Sequence, residues 1–426
     1  MKKKQIFSTL LFAAMVAVGT VSCSSGDDNG SGGNNGGNTQ TETLTPNEQK
    51  VKLEKIAREL VGKVEADPFS NIKDMTKALD DTDDDVISDW AKGCVDNCLE
   101  SSKGDTLYNY LFAASNFTGS FELQGKKWKL ANEKVDYLQF KFTDYSGREC
   151  VIKVEHSGKE TKVHHDSFDY HEYSWYYDYV SHTYTKHAVY TEQKTYCIPE
   201  YIKVTVAQNG TTVASTDIHT TLNIASGDVD PYRDGAEVSA TTTINDYKFA
   251  LEKMIYSAGK SASVQSLTVT KGGEELLSLT AQATGDITDS DNPVLKTASI
   301  TVKVLGGKAR VEGNIDDGQS LVRNIENADA NNTNSEKYKS YLNTANSLFS
   351  VKLYFDNSST QSAFLRLQPF ERQDYWGRST WRCKPAIVFG DGSSYSFEEY
   401  FDEKTFSTVI DKAQNLVDDF VRLFGK

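Results

Sequence analysis

The sequence predicts an α+β protein, predominantly an antiparallel β-sheet built from consecutive hairpins, with N-terminal helices and a C-terminal helix packed on it. Three observations lead there. Apolar residues recur near every 3.6 positions at both ends of the chain and every second position through its middle. Dipeptides that tolerate positive φ, such as Asn209-Gly210 and Gly272-Gly273, punctuate the alternating stretches. Across 426 residues the composition is 38% hydrophobic, with 20 Phe and 22 Tyr, which is material for a substantial core.

Residues 1–22 read as an export leader. Lys2, Lys3 and Lys4 supply positive charge, and Ile6 to Val21 is apolar apart from small residues and hydroxyls. A bilayer span takes ~20 apolar residues, so this shorter run suits a cleaved signal peptide. Thr20-Val21-Ser22-Cys23 resembles the lipobox of bacterial lipoproteins, which implies that Cys23 is lipidated and becomes the mature N-terminus. Ser24 to Gln40 contains no apolar side chain, so burial cannot offset its ordering entropy. Residues 23–44 therefore form a flexible Gly/Asn/Ser tether, reaching roughly 5 to 6 Å times the square root of its length. Two or more acyl chains on one residue anchor stably where one does not.

Residues 45–103 form a helical segment. Thr45-Pro46-Asn47-Glu48 is a capping box with proline at the first helical position, and Leu53, Ile56, Leu60 and Val64 follow at helical spacing. Further starts at Asp67-Pro68 and at Asp83 to Asp85 lead into helix carrying Ile87, Trp90, Cys94 and Cys98 on one face. The acidic run Asp80 to Asp85 lacks the glycine and closing Glu of a calcium loop and suits the positive end of a helix dipole.

Residues 104–316 form an antiparallel hairpin body. Leu138, Phe140 and Phe142 alternate with polar residues, as do Cys150, Ile152 and Val154 beyond Ser146-Gly147. Later hairpins are expected at Asn209-Gly210, Asn245-Asp246, Gly272-Gly273 and Gly306-Gly307. Residues 317–426 form an α+β segment. Helix spans Leu321 to Leu348 with a loop over Asn327 to Asn334, and strands follow near Leu353, Phe364 and Ile387. The last helix carries Phe406, Ile410, Ala413, Leu416 or Val417, Phe420 and Phe424 on one stripe. No Pro- or Gly-rich linker interrupts residues 45–426, which form one large unit or two closely packed ones.

Sixty acidic residues against 46 basic give a net charge of -14, and loss of the three leader lysines takes it to -17. Nucleic acid is excluded as a partner, since phosphate neutralisation needs a surplus of Lys and Arg. The lipobox, the capped opening Leu44 to Glu54 and the strand Leu138-Gln139-Phe140-Lys141-Phe142 together resemble a group of envelope lipoproteins of gut Bacteroidetes. Asp27 and Asp28 resemble that group's acidic tract for the outer face of the outer membrane, although the pair is displaced from Cys23 and Thr20 stands where Leu is usual. The resemblance implies an outer-membrane lipoprotein, surface-exposed or otherwise facing the periplasm. It carries no catalytic residues.

Motifs of catalysis are sparse. Gly-x-Ser-x-Gly, the Walker loop, the dinucleotide glycine fingerprint and His-Glu-x-x-His are all absent. Ser70-Asn71-Ile72-Lys73 and Ser290-Asp291-Asn292 match two motifs of penicillin-recognising enzymes, but the nearest third, Lys271-Gly272-Gly273, has the wrong residue and precedes the second. Ser70 reads as a helix start. With Cys23 lipidated, Cys94, Cys98, Cys150, Cys197 and Cys383 remain, an odd number that cannot all pair.

Composition is most unusual between 164 and 201; six of the seven histidines fall between His156 and His187, and a cluster of tyrosines lies between Phe168 and Tyr201. His164, His165, Asp169 and His171 could hold a divalent metal, since imidazole with carboxylate is a common ligand set; no other cofactor is expected. Tyr173, Trp175, Tyr177 and Tyr179, at alternate positions, could form a platform for the flat face of a sugar ring. Cross-strand packing is the more ordinary use of such rings. The leading functional expectation is a lipid-anchored envelope protein that binds a glycan or an envelope partner without catalysis. A lipid or lipoprotein carrier using a curved sheet is the alternative, and a glycan- or peptide-directed hydrolase a third. Paired carboxylates cannot be singled out among 60 acidic residues.

Overall fold

The computed structural model describes residues 44–65, 69–80, 118–168, 173–178, 183–188, 191–224, 234–286, 294–373 and 377–400, and in the last helix 406, 408, 409, 411, 412 and 415. Cys23, the tether and the helix start at Asp83 to Asp85 lie outside them.

Helices α1 (Pro46–Lys63) and α2 (Ser70–Asp80) are followed by strands β1 (Gly119–Gln124), β2 (Lys127–Asn132), β3 (Leu138–Thr143) and β4 (Glu149–Phe168). Next come the short β5 (Tyr173–Asp178) and β6 (Thr183–Ala188), then β7 (Thr191–Gln208), β8 (Thr211–Asn223), β9 (Gly235–Ile244) and β10 (Tyr247–Ser257). Strands β11 (Ser261–Lys271), β12 (Glu274–Asp286), β13 (Val294–Val304) and β14 (Ala309–Ile315) lead to helices α3 (Gly318–Ala330) and α4 (Ser335–Asn346). Strands β15 (Phe349–Phe355), β16 (Ala363–Gln373), β17 (Ser379–Phe389) and β18 (Ser394–Ser396) precede the short α5 (Phe397–Tyr400). One 16-stranded sheet runs β18-β17-β16-β15-β14-β13-β12-β11-β10-β9-β8-β7-β4-β3-β1-β2, and β5 and β6 form a two-stranded sheet of their own. The expected succession of hairpins is visible in this order, and β1 lies parallel beside β3. The chain divides into two compact units, Met1–Pro68 with Asp246–Ile255 and Gly259–Lys426, and Phe69–Asn245 with Tyr256–Ala258.

In the unit around β1 to β9, Met75 and Ala78 of α2 join Phe121, Trp128, Leu138, Phe142 and Cys150 in one buried cluster. Phe121 stacks on Phe140 at 5.5 Å between centroids, and Trp128 meets Phe140 edge-on at 5.4 Å. Ser70 opens α2, as its sequence context suggests. At the sheet's edge, β2 exposes Lys127 and Lys129 on either side of buried Trp128, charges that discourage pairing with another chain.

In the other unit, the capping box of α1 forms. Thr45 Oγ1 accepts from Glu48 N at 3.4 Å, and Glu48 Oε2 accepts from Thr45 N at 2.7 Å. One turn on, fully buried Gln49 donates to Leu44 O at 3.1 Å and to Ser362 O at 2.9 Å. Lys50 Nζ sits 5.3 Å from the ring centroids of Tyr395 and Tyr400. Helix α3 starts at an Asp317 cap accepting from Ser320 N, and α4 at an Asn334 cap accepting from Lys337 N. The loop expected over Asn327 to Asn334 is confined to residues 331–334. Ala328 is buried with Tyr338 and Leu342, and that burial carries α3 through residues of weak helix propensity.

Turn chemistry departs from expectation at Asn245-Asp246, where only Asn245 takes positive φ, and at Gly306-Gly307. Asn209-Gly210 and Gly272-Gly273 adopt positive φ at both positions, as two-residue hairpin turns require. Gly306-Gly307 instead belongs to a 3-10 turn that begins at Leu305, itself at φ 50° and buried. Burying that leucine draws a third residue into the connection. In the last helix, Phe406 and Val409 are buried while positions 408, 411, 412 and 415 are exposed. The rest of the expected stripe lies outside the described residues.

Burial is uneven along the sheet. Strands β8, β9 and β11 contain no fully buried residue at all. Consecutive residues of a strand face opposite sides, so neither face is closed off there by the described residues. The two faces still differ chemically. On one, Thr205-Ser215-Thr243 and Lys203-Asp217-Thr241 lie in register, and on the other Val206-Ala214-Ile244 and Ile202-Ile218-Ala240. Hydroxyls bridge neighbouring strands, Ser215 to Thr243 at 2.8 Å and Thr216 to Thr242 at 3.0 Å.

Candidate functional site

Strands β4 and β7 form the longest ladder of the unit that contains them, from Cys150↔Gln208 to Phe168↔Thr191. Strand β3 accompanies β4 only as far as Val154, and β8 accompanies β7 only as far as Tyr201. Beyond those points the two strands continue as a two-stranded ribbon. The β5-β6 hairpin occupies the chain between the ribbon's two strands, registered Tyr173↔Ala188, Trp175↔Lys186 and Tyr177↔Tyr184. Tyr173, Trp175 and Tyr177 thus take alternate positions of one strand, the spacing that a platform requires. Tyr179 lies outside the described residues.

The proposed metal ligands divide. His164 and His165 occupy consecutive positions of β4, opposite Thr195 and Lys194. Asp169 and His171 lie outside the described residues. Among the described residues, no group of three or more His, Cys, Asp or Glu side chains gathers as a metal site would need.

Two polar constellations escaped the sequence reading. The first closes the turn between β3 and β4. Asp144 Oδ1 accepts from Ser146 N at 3.0 Å and Arg148 N at 2.9 Å, and Oδ2 accepts from Arg148 Nε at 2.7 Å and Gln208 Nε2 at 3.3 Å. Arg148 and Ser146 also reach Asp74 of α2, at 3.0 and 2.6 Å. Burial alone would raise the Asp144 pKa, but the Arg148 amide and guanidinium and the Ser146 amide outweigh it and hold the carboxyl below its ordinary range. Both oxygens are fully engaged, so this carboxylate fixes a turn and docks a helix rather than moving a proton. Nearby Cys150 is buried, and desolvation together with the Asp144 charge pushes its thiol above the ordinary value, which makes it a weak nucleophile.

The second constellation lies where the ribbon leaves the sheet. Register slips between Ser157 and Glu160, with Gly158 at φ 85°. Glu200 Oε2 accepts from Lys159 N at 3.1 Å, and its Oε1 lies 3.3 Å from His219 Nε2. A glycine inside an otherwise alternating strand is a bulge signal, and Gly158 was such a signal.

No family model matches the chain, and neither a curated protein nor a solved structure matches it.

Proposed function

We propose that this chain is a lipid-anchored envelope protein that binds a glycan or an envelope partner without catalysing a reaction, with the β5-β6 hairpin as its contact surface. One observation carries the reading: among the described residues β5 and β6 pair with each other, apart from the large sheet, and set Tyr173, Trp175 and Tyr177 at alternate positions. Aromatic rings in such a row offer broad apolar faces with polar rims, which suits the flat face of a sugar. Attachment through lipidated Cys23 and a polar tether would hold this hairpin away from the membrane.

Two measurements test it. Glycan arrays and pull-downs from envelope extracts should give a ligand whose binding falls when Tyr173, Trp175, Tyr177 and Tyr179 are changed to Ala; binding that survives all four changes sinks the site. Metabolic labelling with palmitate should mark the wild-type chain and not Cys23→Ser.

A further inference from the structure

The β16-β17 hairpin runs beyond the strands on either side of it. Its ladder extends from Ala363↔Phe389 to Gln373↔Ser379, whereas β15 registers with β16 at Ala363 and Phe364, and β18 registers with β17 at residues 386–388. Among the described residues, 368–373 and 379–384 therefore form a two-stranded arm. Helices take one face of it, where Leu367, Trp381 and Cys383 pack against Tyr338 and Leu342 of α4. The other face carries Gln368, Phe370 and Arg372 of β16 beside Lys384, Arg382 and Thr380 of β17, which lie in register pair by pair. Arg372 and Arg382 are exposed, and the other four are partly so.

The charge of this face is opposite to that of the chain. The net charge is -14, yet Arg372, Arg382 and Lys384 form no ion pair with a carboxylate among the described residues. Glu371 stands on the helix side, opposite Trp381. Glu399 is held chiefly by the Ser396 amide, which donates to it at 2.7 Å, and Lys384 acts on it only as a more distant charge. The positive sign continues inward along the sheet. Arg366 follows on β16, and Lys352, Arg310 and Lys303 take the same face of β15, β14 and β13. Glu312 is the one carboxylate among the described residues of these strands on that face, and Arg310 already pairs with it at 3.0 Å.

We propose that this face of the β16-β17 arm binds an acidic polysaccharide chain. Arg372 and Arg382 are diagonal neighbours, about 7 to 8 Å apart at the backbone, and Lys384 stands about 7 Å beyond Arg382 along its strand. A lone phosphate cannot reach all three cations, whereas a chain with carboxylates or sulfates on successive sugars can. Guanidinium groups take such anions bidentately. Phe370, directly opposite Arg382, offers its ring to the apolar face of a pyranose, and Gln368 adds an amide for sugar hydroxyls. An anionic membrane is the poorer partner, because so broad a surface also meets the chain's excess carboxylates, while one glycan strand engages the arm alone. The arm belongs to the unit that lacks β5 and β6, so the proposal does not rest on the reading of that hairpin.

Isothermal titration calorimetry on the full chain tests it, with polygalacturonate and heparin as probes and dextran, a DNA duplex and phosphatidylglycerol vesicles as controls. At least one acidic polysaccharide should bind at about 50 mM salt and more weakly at about 300 mM, and dextran should not bind. Binding of polygalacturonate alone would name a uronate chain, and binding of heparin alone a sulfated one. Arg372→Gln, Arg382→Gln and Lys384→Gln together should weaken binding about tenfold, and Arg382→Gln alone about threefold, with the circular dichroism of the wild type retained. Should the triple variant unfold, Arg382→Gln decides alone. The same loss of charge at Lys126, Lys127 and Lys129, each changed to Gln, should leave binding unchanged, as should Tyr173→Ala with Trp175→Ala. The proposal is overturned if neither polysaccharide binds, if the arm variants bind as the wild type does, or if the lysine control weakens binding as much. DNA or vesicles bound as tightly as the polysaccharide would overturn it too.

Discussion

Asn346, the last residue of α4, pairs with the backbone of Leu367 in β16 as though it were a strand: its Nδ2 donates to Leu367 O at 2.9 Å and its Oδ1 accepts from Leu367 N at 2.8 Å. The ladder between β15 and β16 registers only at Lys352↔Phe364 and Leu353↔Ala363. A side-chain amide thus supplies the rung that the neighbouring strand does not. Asn346→Ala leaves a donor and an acceptor of Leu367 without this partner and should cost about 2 kcal/mol in chemical denaturation. Asn346→Asp should cost at least as much, because a carboxylate cannot donate to the carbonyl. If Asn346→Ala unfolds at the wild-type midpoint, the rung contributes nothing.

Removing the Asp144 carboxyl strands the Arg148, Ser146 and Gln208 donors, and Asp144→Ala should destabilise by about 3 kcal/mol. The sign of the pH effect follows from its lowered pKa. The carboxylate's contribution is complete above the unfolded aspartate pKa of about 3.9 and is lost as pH falls through the lower folded value. Guanidinium titrations at pH 5 and pH 2.5 should therefore show a smaller acid loss in Asp144→Asn than in the wild type. Equal acid losses would assign the effect to other carboxylates.

Gly307 lies at φ 95°, and a Cβ there would stand 2.0 Å from Asn357 Oδ1. Asn357 in turn donates to Gly306 O at 3.1 Å, tying two neighbouring connections together. Gly307→Ala combines backbone strain with a displaced asparagine and should cost about 2 to 3 kcal/mol. Asn357→Ala removes the clash and the hydrogen bond together, so the double variant should lose less than the two single losses added. Simple additivity in that cycle would show the two residues to be independent.

Cys150 should resist iodoacetamide in the native chain at pH 8 and react once the chain is unfolded, because burial and the Asp144 charge disfavour its thiolate. Peptide mass mapping reads this directly. Alkylation of Cys150 under native conditions at the rate of an unfolded thiol would contradict the packing of the cluster around Phe121 and Trp128.

Much of the fold was legible because it follows local rules. The capping box at Thr45 and Glu48, the alternation in β3 and β4, and the positive-φ turn at Asn209-Gly210 all depend on residues close in sequence. Gly158 was legible in principle as a bulge. Nothing in the sequence tied it to Glu200 and His219, because register across three strands is decided by pairings of residues far apart.

By itself the sequence determined an acidic chain with helical ends, a hairpin-rich middle and a row of aromatics between 168 and 201, since composition and periodicity are local properties. Only the tertiary structure decided the rest. It set β5 and β6 apart from the 16-stranded sheet, left β8, β9 and β11 without a buried residue, and turned Asp144, Asn346 and Glu200 into ties between distant segments. Polar side chains carry no periodic signal for their partners. Which donor meets which carboxylate is fixed when strands and helices pack, through the cost of leaving a buried polar group unpaired.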